Sequence, residues 1–246
     1  MKICSAHQPA FLPWLGLIHK VMTSDVFIIM DVAKFRKRAF MHRNKIEINE
    51  KVNYLGLRLD SDSDYKTCDL LNLNSNSIED LKEMHGKVEH TYAKSKFKNQ
   101  ALDFFEETVV NTSNYKFNEI CLNQLKYICK KLSIDTKIIL ESEFLSKEKI
   151  EGMNVSERLL SHALNTGSQV YITGVNSINY LDTDVFKKNR IFHLVQKFNY
   201  EIFYNLQKCK DPLSIIHQIA HIGFDNISNL MLEKQINKKE ILNSLK

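Results

Sequence analysis

Two short apolar runs bracket the first thirty residues and set most of what the chain can become. Residues Lys2 to Ala6 read as a buried strand, and Val26 to Met30 as a second one ending at Asp31. Continuous apolar runs of this length suit strands covered on both faces. Between them lies His7-Gln8-Pro9-Ala10-Phe11-Leu12-Pro13-Trp14, which holds two of the 3 prolines in the chain. Proline fixes φ and pushes its predecessor toward extended geometry, so this loop is stiff. Leu15 to Met22 then supplies a helical turn or two.

The same alternation returns later. Lys137 to Phe144 reads as a strand, Asn154 with Glu157 opens a helix as a capping box, and Gly167 suits its C′ position. Gln169 to Thr173 and residues 192–199 read as strands, and 53–59 alternate as another. Asp211 and Pro212 form an N-cap and N1 pair opening a helix that ends near Gly223. In the middle third Leu102, Phe105 and Val109, then Phe117, Cys121, Leu125, Ile128 and Leu132, recur at helical spacing. Strands alternating with helices at both ends predict an α/β fold, a mostly parallel or mixed sheet flanked by helices. A helical insertion over 75–135 would interrupt a single domain spanning 1–246.

The 246 residues carry 43% hydrophobic and 26% charged side chains, with 14 Phe and 9 Tyr. That excludes a disordered chain and provides for a sizeable core. A net charge of +5 suits an anionic ligand. No run approaches a membrane span, and the start lacks a signal-peptide pattern. Five cysteines (Cys4, Cys68, Cys121, Cys129 and Cys209) form no CxxC pair. A reduced, cytoplasmic protein without disulfides is expected.

Several positions could carry chemistry. His7 follows a strand on the stiff loop, where α/β proteins place ligand groups, and its imidazole could take a proton near neutral pH. A structural histidine bonded to a carbonyl is the plain alternative. Asp31 could orient an imidazole, bind a sugar hydroxyl or pair with Arg43. Lys34, Arg36, Lys37, Arg38, His42, Arg43 and Lys45 form one basic block, which fits phosphate oxygens or a solvated face. Without a second basic stripe, nucleic acid is not expected as a partner. His217 and His221 stand four apart on a helix, but no further ligand is evident and no metal is expected. Cys4 reads as an inert buried thiol. Thr173-Gly174 ends a strand where a ligand could touch it, and no Walker A, GxGxxG or GxSxG motif occurs.

The run His7-Gln8-Pro9-Ala10-Phe11-Leu12-Pro13-Trp14-Leu15-Gly16, followed by Lys20, Ser24-Asp25-Val26-Phe27, Asp31, Phe35 and Arg43-Asn44-Lys45-Ile46, closely resembles the WbqC-like family. The likeness resumes at Arg158-Leu159-Leu160, Tyr171-Ile172-Thr173-Gly174, Tyr180-Leu181-Asp182 and Phe186, and ends near Leu213 to Ile216 with Gly223 behind. Ala33-Lys34, Arg58 and Val175-Asn176-Ser177 depart from the family pattern.

Members of that family occur with O-antigen and surface-glycan biosynthesis genes. The resemblance implies a transferase attaching an acyl or aminoacyl group, glycyl among the choices, to the amine of a nucleotide-linked amino sugar. His7 would be the general base, Asp31 its orienter, and Gln8 a donor to the oxyanion. Lys20, Arg38 and Arg43 would hold phosphates, Phe11 and Trp14 would form an apolar wall, and Thr173 and Gly174 would touch the substrate. No tightly bound cofactor is expected, and a carrier-protein or coenzyme A thioester is a plausible donor. Nucleotidyl transfer, or a non-catalytic protein binding a glycan precursor or an acyl carrier protein, stays open.

Overall fold

The computed structural model describes residues 1–37, 39–74, 77–112, 115–204 and 211–245. Arg38 and Cys209 lie outside these.

Five parallel strands form the central sheet: β1 (Ile3–His7), β2 (Val26–Ile29), β5 (Lys137–Leu140), β6 (Val170–Thr173) and β7 (Phe192–Val195). Their order is β5-β2-β1-β6-β7. A separate antiparallel hairpin joins β3 (Arg43–Ile48) to β4 (Lys51–Gly56). Its turn residues Asn49 and Glu50 take φ of 51° and 64°, the left-handed geometry of tight two-residue hairpins.

Each face of the sheet is covered, which is why its strands read as unbroken apolar runs. Cys4, Ala6, Val26 and Ile28 face Leu159 and Ala163 of α6 (Val155–Thr166) and Phe186 of α7 (Asp184–Lys188). Phe27 and Ile29 face the other way, into a core shared with Leu15, Leu17, Ile18 and Val21 of α1 (Leu15–Met22). That core runs on without a break through α2 (Ser77–Thr91), α3 (Lys98–Phe105) and α4 (Phe117–Lys131). It also takes in α9 (Ile215–Ile222) and α10 (Phe224–Lys234). The short helices α5 (Lys147–Glu151) and α8 (Glu201–Tyr204) lie in connections, and α11 (Lys238–Asn243) packs Ile241 and Leu242 near Ile3, Val170 and Ile172.

The Asn154–Glu157 capping box forms as expected, with reciprocal bonds of 3.0 and 2.8 Å, and Gly167 ends α6 at φ 63°. Other boundaries move. The strand expected to reach Phe144 stops at Leu140, because residues 141–143 turn into a 3-10 helix. The strand at 53–59 is shifted to Lys51–Gly56, and that at 192–199 stops at Val195. Asp211 and Pro212 do not open a helix. Ser214 is the N-cap of α9, and Asp211 instead meets Lys45 on β3 at 2.5 Å. After α3 the helix continues as one π-helical stretch over Glu106–Val110.

The chain leaves β1 outward to β2 and β5, then returns through α6 to lay β6 on the opposite flank of β1. The winding direction therefore reverses between β1 and β6. In open α/β sheets the crevice beyond the strand ends at such a reversal is where ligands bind.

Candidate functional site

A cleft of about 1240 Å³ opens at that point. His7 and Gln8 line it from the end of β1, Thr173 and Gly174 from the end of β6, and Gln196 from the end of β7.

The His7 loop is pinned from several directions. Phe11 N–H donates to Met41 O at 2.7 Å, Leu12 N–H to Gln124 Oε1 at 2.8 Å, and Asn44 Nδ2 to Leu12 O at 2.7 Å. These bonds hold Leu12 at φ 47°, a left-handed conformation that costs a branched residue energy unless its surroundings fix it. Phe11 is fully buried in the core and is not part of the cleft wall. Trp14 is in that wall, with its ring edge-on to His7 at 5.2 Å between centroids.

His7 Nδ1 lies 2.7 Å from the Gln8 carbonyl oxygen. A carbonyl only accepts, so Nδ1 bears the proton and Nε2 keeps its lone pair. Burial, reinforced by the Lys20 ammonium, pushes the His7 pKa down to about 4. The ring is therefore neutral at physiological pH. Lys20 is itself buried, donates Nζ–H to Ala6 O at 2.9 Å, and has its pKa pushed down by burial to about 8. Thr173 Oγ1 lies 2.8 Å from His193 Nε2 and accepts from Ser177 Oγ at 2.7 Å, so the β6 end is braced as well.

The structure does not join Asp31 to His7. Although β1 and β2 are neighbours, both carboxylate oxygens of Asp31 are taken by Ser142, just beyond β5, and Asp31 is not a cleft-lining residue. Burial raises the Asp31 pKa against these bonds. Arg43 also points elsewhere: its guanidinium sits 5.0 Å from the Tyr54 ring centroid on the hairpin, outside the cleft lining. The cations that do line it are Lys20, Lys34, Arg36, Lys45, Lys147 and Arg158, against the single carboxylate of Glu151 among the described lining residues. Lys45 is paired with Asp211, Lys147 with Asp69 and Arg158 with Glu141. Lys20, Lys34 and Arg36 have no carboxylate partner among the described residues, so the cleft retains positive charge.

One polar group had no local signature. Glu141 is wholly buried, accepts from Arg158 through Nε at 2.6 Å and again through Nη2, and accepts from His162 Nε2 at 2.8 Å. Burial alone would raise its pKa; the bonds from Arg158 and His162 outweigh that and hold it below the usual carboxylate range. His162 Nδ1 meets Tyr171 Oη at 3.1 Å. Arg158 and Tyr171 line the cleft.

His217 and His221 stack at 4.4 Å between ring centroids beside Tyr92. No group of three or more metal-ligating side chains occurs among the described residues. No helix among them is long and apolar enough to cross a membrane. Comparisons with curated proteins and with solved structures give no match. A family model described as the WbqC-like protein family matches residues 8–229, from the His7 loop to α10. Over that span the chain belongs to the WbqC-like family, a membership that suggests a role related to glycan biosynthesis.

Proposed function

We propose that the protein transfers an acyl or aminoacyl group to the amine of a nucleotide-linked amino sugar in surface-glycan biosynthesis. The observation that carries this reading is a neutral, tautomerically fixed His7 beside a cleft holding three cations without a carboxylate partner among the described residues, at the sheet's reversal point. The cations suit the phosphates of a nucleotide sugar, and Trp14 and Tyr200 in the cleft wall suit its apolar parts.

The donor is a thioester, on coenzyme A or an acyl carrier protein. The sugar amine attacks the thioester carbonyl carbon, and the new C–N bond makes the nitrogen acidic. His7 Nε2 takes that proton, and Gln8 donates to the oxyanion. When the intermediate collapses the C–S bond breaks, and His7 returns the proton to the departing thiolate. The imidazolium is short-lived because burial and Lys20 disfavour it. Such donors place the reaction in the cytoplasm.

Purified protein incubated with amino-sugar nucleotides and acyl-coenzyme A should release free thiol and an N-acylated sugar, read by mass spectrometry. His7→Ala should lower the rate about 10²–10⁴-fold, the range for removing a general base. Tight binding of the sugar without turnover by any thioester would support the non-catalytic binding protein instead.

A further inference from the structure

The side of the cleft facing α6 carries a second, independently built group. We propose that Arg158 is the diphosphate anchor of the cleft, aimed by Glu141 and, one layer further out, by Asp31. This rests on the reading of the cleft as a nucleotide-sugar site.

The argument begins with donors. Arg158 has five N–H groups in a rigid fork. Glu141 takes Nε–H and one from Nη2. No acceptor among the described residues takes the Nη1 protons, and the side chain is 17% exposed where it lines the cleft. Three N–H groups are thus left on this cleft-lining side chain, two on Nη1 and the second on Nη2, and one from each nitrogen forms the parallel pair that meets two oxygens of a phosphate.

The chain behind it is rigid. Glu141 is fixed on its far side by His162, whose Nε2–H donation leaves Nδ1 to accept from Tyr171 Oη. Glu141 begins the turn after β5, and the next residue, Ser142, is clamped by Asp31 through its amide and its hydroxyl. Arg158 itself stands in the first turn of α6, where the helix dipole also favours an anion. Replacing a buried ion pair by apolar groups often leaves stability unchanged or improved, so stability is a poor explanation for one built into a cleft wall. Because Glu141 cancels the charge of Arg158, this anchor selects by direction, while Lys34 and Arg36 supply the uncompensated charge. A diphosphate offers both of them two tetrahedral groups with more oxygens and more charge than the two planar carboxylates of a dicarboxylate of similar span.

The test uses the full chain, with Trp14 emission and calorimetry as readouts and inorganic pyrophosphate and malonate as probes. Wild type should bind pyrophosphate at least tenfold more tightly than malonate. Arg158→Lys, which keeps the charge and loses the fork, should weaken pyrophosphate at least tenfold, and Glu141→Gln about threefold to tenfold. Arg58→Ala, which removes an exposed cation paired with Asp80 away from the cleft, should change nothing. In wild type, pyrophosphate should protect Arg158 from phenylglyoxal, mapped by mass spectrometry; this arm needs no variant to fold. Pyrophosphate bound equally well by Arg158→Lys, or no protection of Arg158, overturns this proposal and leaves the cleft reading standing. Malonate matching pyrophosphate overturns the diphosphate assignment. A wild type indifferent to pyrophosphate overturns the anionic-cleft reading along with it.

Discussion

Asp31 grips Ser142 with both carboxylate oxygens, taking its amide at 3.0 Å and its hydroxyl at 2.5 Å. The carboxylate at the end of β2 thus serves the turn after β5 and leaves His7 to its own backbone. Asp31→Asn should cost about 1.5–3 kcal/mol of stability, the range for hydrogen bonds to a charged group. Urea unfolding measures it. The His7 imidazole, followed by NMR, should titrate as in wild type; a His7 pKa displaced by a full unit would restore the direct link between the two residues.

Acid should destabilise the fold early. The pKa of His7 is lowered from 6.5 to about 4 and that of His217 to about 3, both chiefly by burial. Between these values and 6.5 the unfolded chain binds protons that the folded one refuses, so stability rises with pH across that window. It is complete above about pH 6.5 and lost on the way down, to about pH 4 for His7 and about pH 3 for His217. The depressed carboxyl of Glu141 adds a further loss in acid, below its ordinary value of 4.5. Denaturant midpoints at pH 7 and pH 5 should differ accordingly; a flat profile would contradict the buried neutral histidines.

Lys20→Met should yield a protein at least as stable, with a poorer site. Lowering the lysine pKa from 10.5 to about 8 costs the folded state about 3 kcal/mol at neutral pH. Loss of the charge-assisted bond to Ala6 O removes about 1.5–3 kcal/mol of that gain. A net change between about zero and a gain of about 1.5 kcal/mol is expected, together with weaker binding of uridine diphosphate and a shallower dependence of that binding on salt. Unchanged affinity would remove Lys20 from the ligand's reach.

Gly16 is required by close approach. A Cβ there would lie 2.5 Å from Tyr200 Oη and 2.8 Å from Trp14 Nε1. Gly16→Ala should therefore push apart two rings of the cleft wall at a cost of about 1–3 kcal/mol. Trp14 is the only tryptophan, so its emission reports the displacement directly. A variant with unaltered emission and melting temperature would show that the wall yields freely.

Much of the scaffold was legible because its signals are local. The β1 and β2 runs, the Asn154–Glu157 box and Gly167 each depend on residues within a few positions, and all form. The stiff loop marked the cleft because prolines fix their own backbone. What was misread depends on distant partners. Asp211-Pro212 has the local form of a helix start, yet its carboxylate is claimed by Lys45, 166 positions earlier. Asp31 and His7 end adjacent strands, but Ser142 arrives 111 positions after Asp31 and takes both oxygens. Arg43 looks like any phosphate-binding arginine until the hairpin sets it over Tyr54. Glu141, Arg158 and His162 share no local motif, because they meet only when the turn after β5 packs on α6.

The position of β1 at the centre of the sheet has a consequence for synthesis of the chain. Ile3 pairs with Val170, 167 positions on. At about 5–20 residues per second, a ribosome needs about 8–33 s to deliver that partner. Throughout that interval the emerging strand presents one bare backbone edge flanked by apolar side chains, the kind of edge that recruits other chains. Yield in a heterologous host should therefore depend on translation speed and on holding chaperones more than on the stability of the finished protein.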